Sequence, residues 1–205
     1  MEPTITSYLL KFALTFLLFI SNMEKSSSSA TAATTKSSSS AYKEYLKTAC
    51  SSTTYPKLCY SSLSPYCYTI KTDDLTLCST ALNVSLQVAY NTSSLVTVLS
   101  KQKGLSKTEA QVIEDCIDEM GDSIDELSQS LDAFGSLKLN STDLRFQISN
   151  IQTWVSAALT NEDTCSDEID DTRVSSSAKK KIKKSISNVA RITCNALALI
   201  NKLPY

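Results

Sequence analysis

Residues 106–135 read SKTEAQVIEDCIDEMGDSIDELSQSLDAFG, and this stretch decides the fold class. It opens with Ser106, followed three residues later by Glu109, which is the capping-box pattern of a helix N-terminus. Apolar residues then recur at alternating steps of three and four. They are Ile113, Cys116, Met120, Ile124, Leu127, Leu131 and Phe134. Because such steps place side chains on one helix face, we predict a long amphipathic helix that ends near Gly135.

Similar helical patterns occur on both sides of this helix. Upstream, the stretch TDD at residues 72–74 supplies a capping residue and negative charge at a helix N-terminus, and predicts a helix to about Ser100. Downstream, one helix is predicted from near Ser141 or Thr142, and a final helix follows it. Their apolar stripes are Leu144, Ile148, Ile151, Val155 and Leu159, and then Ile182, Ile186, Val189, Thr193, Leu197 and Ile200.

Two shorter helices are predicted before these four. Residues 42–50 suit the first, and Pro56 suits the opening turn of the second, with Thr54 or Tyr55 as its cap. The stretch LSPY at residues 63–66 would end the second helix. Four long helices joined by short polar loops predict an all-α fold, an up-down-up-down four-helix bundle with an N-terminal α-hairpin.

Histidine is absent from the chain, and its three glycines are widely separated. Without histidine, neither a Ser-His-Asp nor a Cys-His catalytic arrangement can be built, and the commonest metal ligand is missing. The scattered glycines cannot form a phosphate-binding loop. We therefore expect no catalytic residue, no metal site and no cofactor.

The formal net charge is −1, so long-range attraction to nucleic acid or to an anionic membrane is not implied. One local exception is a basic run in the final helix. It consists of Lys179, Lys180, Lys181, Lys183 and Lys184. Its simplest interpretation is a solvated helix face, with nucleic-acid binding as the alternative. We expect no nucleic-acid partner, and no membrane contact after export.

The N-terminus has the pattern of an export signal. Lys11 precedes the apolar run FALTFLLFI at residues 12–20, which is shorter than the roughly twenty residues of a membrane-spanning helix. A tract rich in Ser, Ala and Thr follows; the alternative is an N-terminal core helix. We predict a signal peptide at residues 1–25 with its cleavage point open, a linker at 26–41, and one helical domain at 42–205.

Export predicts the state of the seven cysteines. In an oxidising compartment cysteines pair, whereas a zinc site would need four suitably spaced ligands and a thioredoxin-type centre would need C-x-x-C. Disulfides are therefore expected. Three Asn-X-Ser/Thr sequons agree with a secreted, extracellular protein and are candidate glycosylation sites. They lie at Asn83, Asn91 and Asn140.

Spacing along the chain suggests two principal bridges. Cys50 and Cys59 flank the turn of the predicted hairpin. Cys116 lies on the apolar stripe of one bundle helix, and Cys165 follows the predicted end of the next. Bridges between these pairs would make the bundle a disulfide-stapled scaffold, although sequence alone does not fix connectivity.

Three cysteines remain. Cys67 and Cys78 bracket the stretch YTIKTDDLTL and suggest a possible third, local disulfide. Cys194 is then left over in the final helix. A buried free thiol is the simpler interpretation of Cys194, because free cysteine is often buried; an intermolecular disulfide is the alternative.

Three stretches carry a resemblance to a known family. CSSTTYPKLCYSSLSPY at residues 50–66, DCIDEMGDSIDELSQSL at 115–131 and NIQTWVSAALTNEDTC at 150–165 resemble cysteine-bearing segments of the plant invertase and pectin methylesterase inhibitor family. The resemblance runs from about Tyr42 to Leu203. It implies a four-helix bundle with an N-terminal hairpin, and bridges from the first family cysteine to the second and from the third to the fourth. In this chain those pairs are the two chosen above from spacing.

The family has two branches, one that inhibits pectin methylesterases and one that inhibits acid invertases. The invertase branch has a Pro-Lys-Phe motif, which is absent from the comparable residues 140–160. Residues 152–165 are instead similar to inhibitor-like pro-regions of pectin methylesterases. The resemblance thus implies a secreted pectin methylesterase inhibitor of the cell wall or apoplast; the alternative target is a cell-wall or vacuolar acid invertase.

An inhibitor of this kind acts by covering the substrate cleft in a one-to-one complex, as the resemblance implies. Exposed polar positions on the bundle helices are candidates for the contact surface. We select Gln87, Asp118, Gln147 and Thr153, although each also suits an ordinary solvated position. The acidic residues of the 106–135 helix suit either a pH-sensitive contact or, more simply, a solvated face.

Two further function classes were considered. A hydrolase with paired carboxylates needs no histidine, and Asp163 and Asp167 are the nearest approach to such a pair. A helical bundle without a large cleft is a poor site for polysaccharide hydrolysis, and nothing in the sequence orients these two residues. A secreted structural or signalling bundle is the third class. Neither alternative accounts for the combined motifs, so we predict that the chain is not an enzyme.

Overall fold

The structure is a computed structural model that describes residues 38–171 and 176–204. The predicted signal peptide and residues 26–37 of the predicted linker lie outside these ranges. Residues 38–41, which the sequence analysis assigned to the linker, are helical. The first described helix therefore includes residues before 42, and the domain bounds stay a prediction. Of the described residues, 43–171 and 176–204 belong to one compact unit.

All regular structure in the described residues is helical. We number the helices α1 to α7 in chain order. They are α1 (38–51), α2 (Pro56–Leu63), α3 (Cys67–Ile70), α4 (Asp74–Ser100), α5 (Lys107–Gly135), α6 (Leu144–Asp171) and α7 (Ser176–Ile200), with a 3-10 turn at Ser64–Tyr66 between α2 and α3.

Helices α4 to α7 form the predicted four-helix bundle. Helix α4 packs against α5 and α7, and α6 packs against the same two helices, so the four helices enclose one core. Helices α5 and α6 are antiparallel: Cys116 is bonded to Cys165, whereas Glu126, ten residues later, contacts Asn161, which precedes Cys165. The up-down connection of neighbouring helices follows from the short loops between them.

The helix starts follow the predicted capping chemistry. The Ser106 hydroxyl accepts a hydrogen bond from the Glu109 backbone N–H at 3.2 Å, and Glu109 accepts from the Ser106 N–H at 2.8 Å. Asp73 caps α4 by accepting from the Thr76 N–H at 2.7 Å. Hydrogen bonds from Thr76 lower the pKa of the Asp73 carboxyl group. Charged and hydroxyl side chains therefore fix where the two helices begin.

The apolar stripes form the core with four half-buried exceptions, of which two, Leu144 and Leu159, belong to the α6 stripe. The α5 stripe is buried except at Leu131, and the α7 stripe is buried except at Leu197; both exceptions are half-buried. Helix α6 continues past Cys165 to Asp171 and buries Ile169, so this helix is longer than predicted. Packing on Ile169 explains the extension, because burial of an apolar side chain outweighs the weak helix preference of the acidic residues around it.

The N-terminal hairpin is present but continues further than predicted. Helices α1 and α2 are joined by a disulfide, and Pro56 occupies the first turn of α2 as expected. Helix α2 ends at Leu63, as the stretch LSPY predicted, but Pro65 fits the start of the 3-10 turn and α3 follows directly. Helix α3 ends at Ile70, and the following Lys71 has a positive φ of 54°.

The structure contains the two principal disulfides, Cys50–Cys59 and Cys116–Cys165. The first joins α1 to α2, and the second joins α5 to α6 within the bundle. All four cysteines are buried. The bridges brace one contact in the hairpin and one in the bundle.

The predicted Cys67–Cys78 bridge is wrong for this structure, in which both residues are buried free thiols. Cys78 lines a cavity of about 440 Å³ with residues of α1, such as Tyr45 and Thr48, and Cys67 does not line it. The two thiols therefore serve different packing contacts. Burial, with Asp74 and Asp73 nearby, raises the pKa of Cys78 to about 12, which makes it an unreactive thiol.

We expect loss of the Cys116–Cys165 disulfide to destabilise the protein more than loss of Cys50–Cys59. Their sequence separations are 49 and 9, which correspond to roughly 4 and 2.5 kcal/mol of loop-closure entropy in the unfolded chain. Each pair would be replaced by alanine and the free energy of unfolding measured by urea denaturation. Equal losses, or a greater loss for the hairpin pair, would contradict this ranking.

Candidate partner-binding surface

The α1–α2 turn is fixed to α7 by one asparagine. The Tyr55 backbone N–H donates to Asn195 Oδ1 at 2.9 Å, and Asn195 Nδ2 donates to the Tyr55 carbonyl at 3.1 Å. The Arg191 guanidinium lies 5.4 Å from the centre of the Tyr55 ring. Cys194 is half-buried and approaches the Thr54 hydroxyl, rather than being fully buried as the simpler prediction stated. The reciprocal bonds hold the hairpin in one position on the bundle.

A carboxyl group lies inside the bundle where α5, α6 and α7 meet. Glu162 has no exposed surface. Its Oε1 accepts hydrogen bonds from the Ser123 hydroxyl at 2.8 Å and the Thr193 hydroxyl at 3.0 Å. Its Oε2 is buried without a hydrogen-bond partner among the described residues. Because Oε1 accepts both hydrogen bonds and Oε2 has no partner, the arrangement suits a carboxyl group that carries its proton on Oε2.

Burial raises the pKa of Glu162 to about 8, against the opposing effect of its two hydroxyl donors. The nearby carboxylates of Asp163 and Glu126 raise it further. Glu162 is therefore neutral at mildly acidic pH and joins three helices as an uncharged hydrogen-bonding group. Sequence analysis missed this residue, although its position three residues before Cys165 on the buried side of α6 was a readable signal.

The outward face of α5 is acidic. It includes the exposed residues Glu114, Asp118 and Asp125. Partial burial, followed by repulsion from neighbouring carboxylates, raises the pKa values of Glu119 and Glu126. This face carries the acidic set noted in the sequence, and most of it is solvated.

The outward face of α6 differs along its length: Arg145 is exposed at its start, Asp163 and Asp167 are exposed towards its end, and the part of the face between them carries no charge. The exposed residues of this uncharged part recur at steps of three and four, and we call them the α6 outer face. They are Phe146, Ser149, Thr153, Ser156 and Thr160. The Thr153, Ser156 and Thr160 hydroxyls donate to carbonyl groups of the preceding turn at 2.9, 2.7 and 3.0 Å. The result is a surface whose hydroxyls are directed back onto the helix.

An aromatic residue stands at one end of the α6 outer face. The Phe146 side chain is 68% exposed, and Leu139 in the preceding connection is 55% exposed. Gln147 lies beside Phe146 and accepts a hydrogen bond from the Lys138 N–H at 3.3 Å, which fixes the connection onto α6. Exposed aromatic residues on uncharged surfaces are typical of protein-binding sites.

The four predicted interface residues do not form one patch. Thr153 belongs to the α6 outer face, and Gln147 is half-buried next to it. Asp118 is exposed on α5 close to the Cys116–Cys165 bridge, and Cys165 is about 18 Å from Thr153 along the α6 axis at 1.5 Å per residue. Gln87 is exposed on α4, which does not pack against α6. Thr153 and Gln147 therefore lie on the same part of α6, whereas Asp118 and Gln87 lie on other helices away from them.

Sequence analysis missed Phe146 and the hydroxyl row beside it. The signal was present, since Phe146, Ser149, Thr153 and Ser156 occur at steps of three, four and three. These residues are informative only as a continuous helix face and not as single polar positions. All three sequon asparagines are exposed, two on α4 and Asn140 in the α5–α6 connection; their glycosylation remains a prediction.

Residues 38–171 and 176–204 contain neither a metal-binding cluster nor a membrane-spanning helix. In these ranges, no group of three His, Cys, Asp or Glu side chains is placed to hold a metal ion. None of the helices described there is long and apolar enough to cross a membrane.

Comparison with known proteins identifies the family. A sequence model described as "Plant invertase/pectin methylesterase inhibitor" matches residues 44–199. The chain belongs to this family. Its membership confirms the resemblance noted in the sequence and the prediction that the chain is not an enzyme, because the members are inhibitors.

Named relatives of this inhibitor family support the same assignment. Pectinesterase inhibitor 4 from Arabidopsis thaliana is 41% identical over 157 residues, which cover 76% of this chain and 79% of that protein. Pectinesterase inhibitor 10 from the same plant is 40% identical over 159 residues, which cover 77% of this chain and 50% of that protein.

A solved structure supports the fold. The crystal structure of mutant form A of a pectin methylesterase inhibitor from Arabidopsis superimposes with a TM-score of 0.58 and 24% sequence identity. The comparison covers 76% of this chain and 94% of the other. The predicted helical bundle is therefore confirmed.

We expect Glu162 to make the inhibitor less stable as the pH rises. Its pKa is higher in the folded protein than in the unfolded chain, so its contribution is complete below about pH 4.5 and is lost as the pH rises through about 8. Unfolding of the native protein and Glu162→Gln would be followed by urea denaturation from pH 5 to 8. The pH-dependent difference between them should be on the order of a few kcal/mol.

The control for this prediction is Glu114→Gln, which removes an exposed carboxyl group from α5. This variant should retain the native pH dependence. Identical profiles for native protein and Glu162→Gln would contradict the role assigned to the buried carboxyl group.

Proposed function

We propose that this protein is a secreted inhibitor of pectin methylesterase that covers the substrate cleft in a one-to-one complex. Membership of the inhibitor family and the 41% identity to Pectinesterase inhibitor 4 support the target class. The observation that carries the mechanism is the α6 outer face, an uncharged helix surface with Phe146 exposed at one end.

Inhibition by obstruction fits the geometry. Among the described residues, no group of His, Cys, Asp or Glu side chains is placed to hold a metal ion. A rigid helix loses little conformational freedom on binding, so the face is preorganised for a partner. The Cys116–Cys165 bridge and the Glu162 hydrogen bonds hold α6 against α5.

Phe146 would provide the main apolar anchor of the complex, and Thr153 would lie in its centre. Aromatic side chains bury a large apolar area. The Thr153, Ser156 and Thr160 hydroxyls already donate to their own helix, so their desolvation costs less than that of an exposed charge. The surface therefore suits the core of a protein–protein interface, which is depleted of charged residues.

Acid invertase is the less favoured target. The relatives reported above are named for pectinesterase, and the Pro-Lys-Phe motif is absent from residues 140–160. We also propose that the protein acts outside the cell, in the wall or apoplast, after removal of a signal peptide within residues 1–25. The three sequons support passage through the secretory pathway.

We expect the purified protein to inhibit a plant pectin methylesterase at mildly acidic pH and to leave acid invertase active. Phe146→Ala should raise the inhibition constant about tenfold or more, because an aromatic anchor is lost. Thr153→Arg should weaken inhibition as strongly by placing a charge within the contact. Initial-rate assays with both enzymes would measure these effects.

Val98→Ala is the matched control, since Val98 is an apolar residue of α4 that is 65% exposed. It should inhibit as the native protein does. If native protein inhibits neither enzyme, the proposed function is wrong. If native protein inhibits and Phe146→Ala is as active as Val98→Ala, the inhibitory surface lies elsewhere.

A further inference from the structure

A groove of about 1170 Å³ lies between the start of α2 and the outer side of α7. We call it the α2–α7 groove. Its walls include Tyr55 and Lys57 on the hairpin side and Lys181, Lys184 and Arg191 on α7. Small-molecule sites usually measure about 300–1,000 Å³, so the groove has room for an extended ligand rather than for one small anion.

The positive charges of α7 follow one line along this groove. The three charged residues are Lys181, Lys184 and Arg191, and the Asn188 amide lies between the last two. The four positions recur at steps of three, four and three, which places them on one helix face. Lys181 and Arg191 are ten residues apart, or about 15 Å along the axis. A row of this length matches a linear ligand that repeats its negative charge.

These charges have no acidic partner in the groove. No Asp or Glu is among its lining residues, and Lys57, Lys181 and Lys184 form no ion pair within the described ranges. The same basic run behaves differently on its other side, where Lys179 and Lys183 pair with Asp170. The lysine run therefore has two sides. The charges on one side are paired with Asp170, and the charges on the side that faces the groove have no acidic partner.

Two features of the hairpin add to the site. The Tyr55 side chain does not cap the first turn of α2, so the positive end of this helix is not neutralised by its cap. The Tyr55 ring is partly exposed and lies against the Arg191 guanidinium. An aromatic face beside cations and the Asn188 amide suits a sugar ring that carries both C–H groups and carboxylates.

We propose that the α2–α7 groove binds a linear polyuronate, a chain of sugars that each carry a carboxylate. Removal of methyl esters from pectin exposes such carboxylates, so the choice of uronate rests on the proposed function. The groove would hold the inhibitor on regions of the polymer where ester groups are already absent. The α6 outer face contains none of the residues used here.

The charge distribution favours a polyuronate, which carries one charge per sugar, over the more densely charged nucleic acids. The net charge of the chain is −1, so a dense polyanion is repelled by the remainder of the surface. Exposed lysines bind with modest strength and are screened by salt. We therefore expect moderate affinity that falls as ionic strength rises.

The test uses a fluorescently labelled galacturonate oligomer of defined length, with and without methyl esters, titrated with the full inhibitor in low salt. The de-esterified oligomer should bind at least about tenfold more tightly than the esterified one, because only the former carries repeated charge. Lys181→Gln/Lys184→Gln should weaken binding of the de-esterified oligomer about tenfold. Circular dichroism would verify that the variant is folded.

Lys101→Gln/Lys180→Gln is the matched control, because it removes two exposed charges that do not line the groove. It should change the affinity less than about twofold. Equal losses for the two double variants, equal binding of both oligomers, or no binding by native protein would overturn the proposal. Tighter binding of a sulfated glycan or a DNA duplex of equal length would overturn the assignment to uronate.

The same variants would be assayed for inhibition of pectin methylesterase with a short esterified substrate. Lys181→Gln/Lys184→Gln should inhibit normally while binding the uronate oligomer weakly. Native protein that binds the oligomer without inhibiting would refute only the proposed function. Loss of inhibition with unchanged oligomer binding would show that the groove contacts the enzyme, which would overturn the polyuronate site.

Discussion

The contact between α5 and α6 is the constraint on which the remaining structure depends. A disulfide joins Cys116 to Cys165, and one helical turn away Glu162 accepts a hydrogen bond from Ser123. The disulfide fixes the register of the two helices. The hydrogen bond fixes the rotation of α6 about its axis, with Glu162 directed into the core. With that rotation fixed, the opposite side of α6 must face solvent, and it is the side that carries Phe146 and Thr153.

The sequence was sufficient for most of the fold because the determinants are local. The Ser106–Glu109 capping box and the stripe through Ile113 and Phe134 each specify a helix without knowledge of its partners. The extension of α6 to Asp171 could not be read in the same way. It depends on burial of Ile169 against other helices, which is a tertiary effect.

The candidate sites were harder to predict because they depend on which faces meet. Choosing Thr153 required only that it be exposed, whereas recognising the α6 outer face required knowing that Phe146, Ser149, Ser156 and Thr160 are exposed on the same side. Cys67 and Cys78 were close enough in sequence to suggest a bridge, but their side chains pack in different places. The lysine run appeared uniform in sequence, and only the position of Asp170 distinguishes its two sides.

The two proposed surfaces share no residue, which has a consequence for inhibition in a wall. The α6 outer face is carried by one bundle helix, whereas the α2–α7 groove is formed by the hairpin and α7. A protein that contacts its enzyme through one surface and the polymer through the other would bind both at once. Such linkage raises the effective concentration of inhibitor near the enzyme without strengthening either contact. Because the polymer contact is electrostatic, that increase would be greatest where de-esterification has already released carboxylates and where the ionic strength is low.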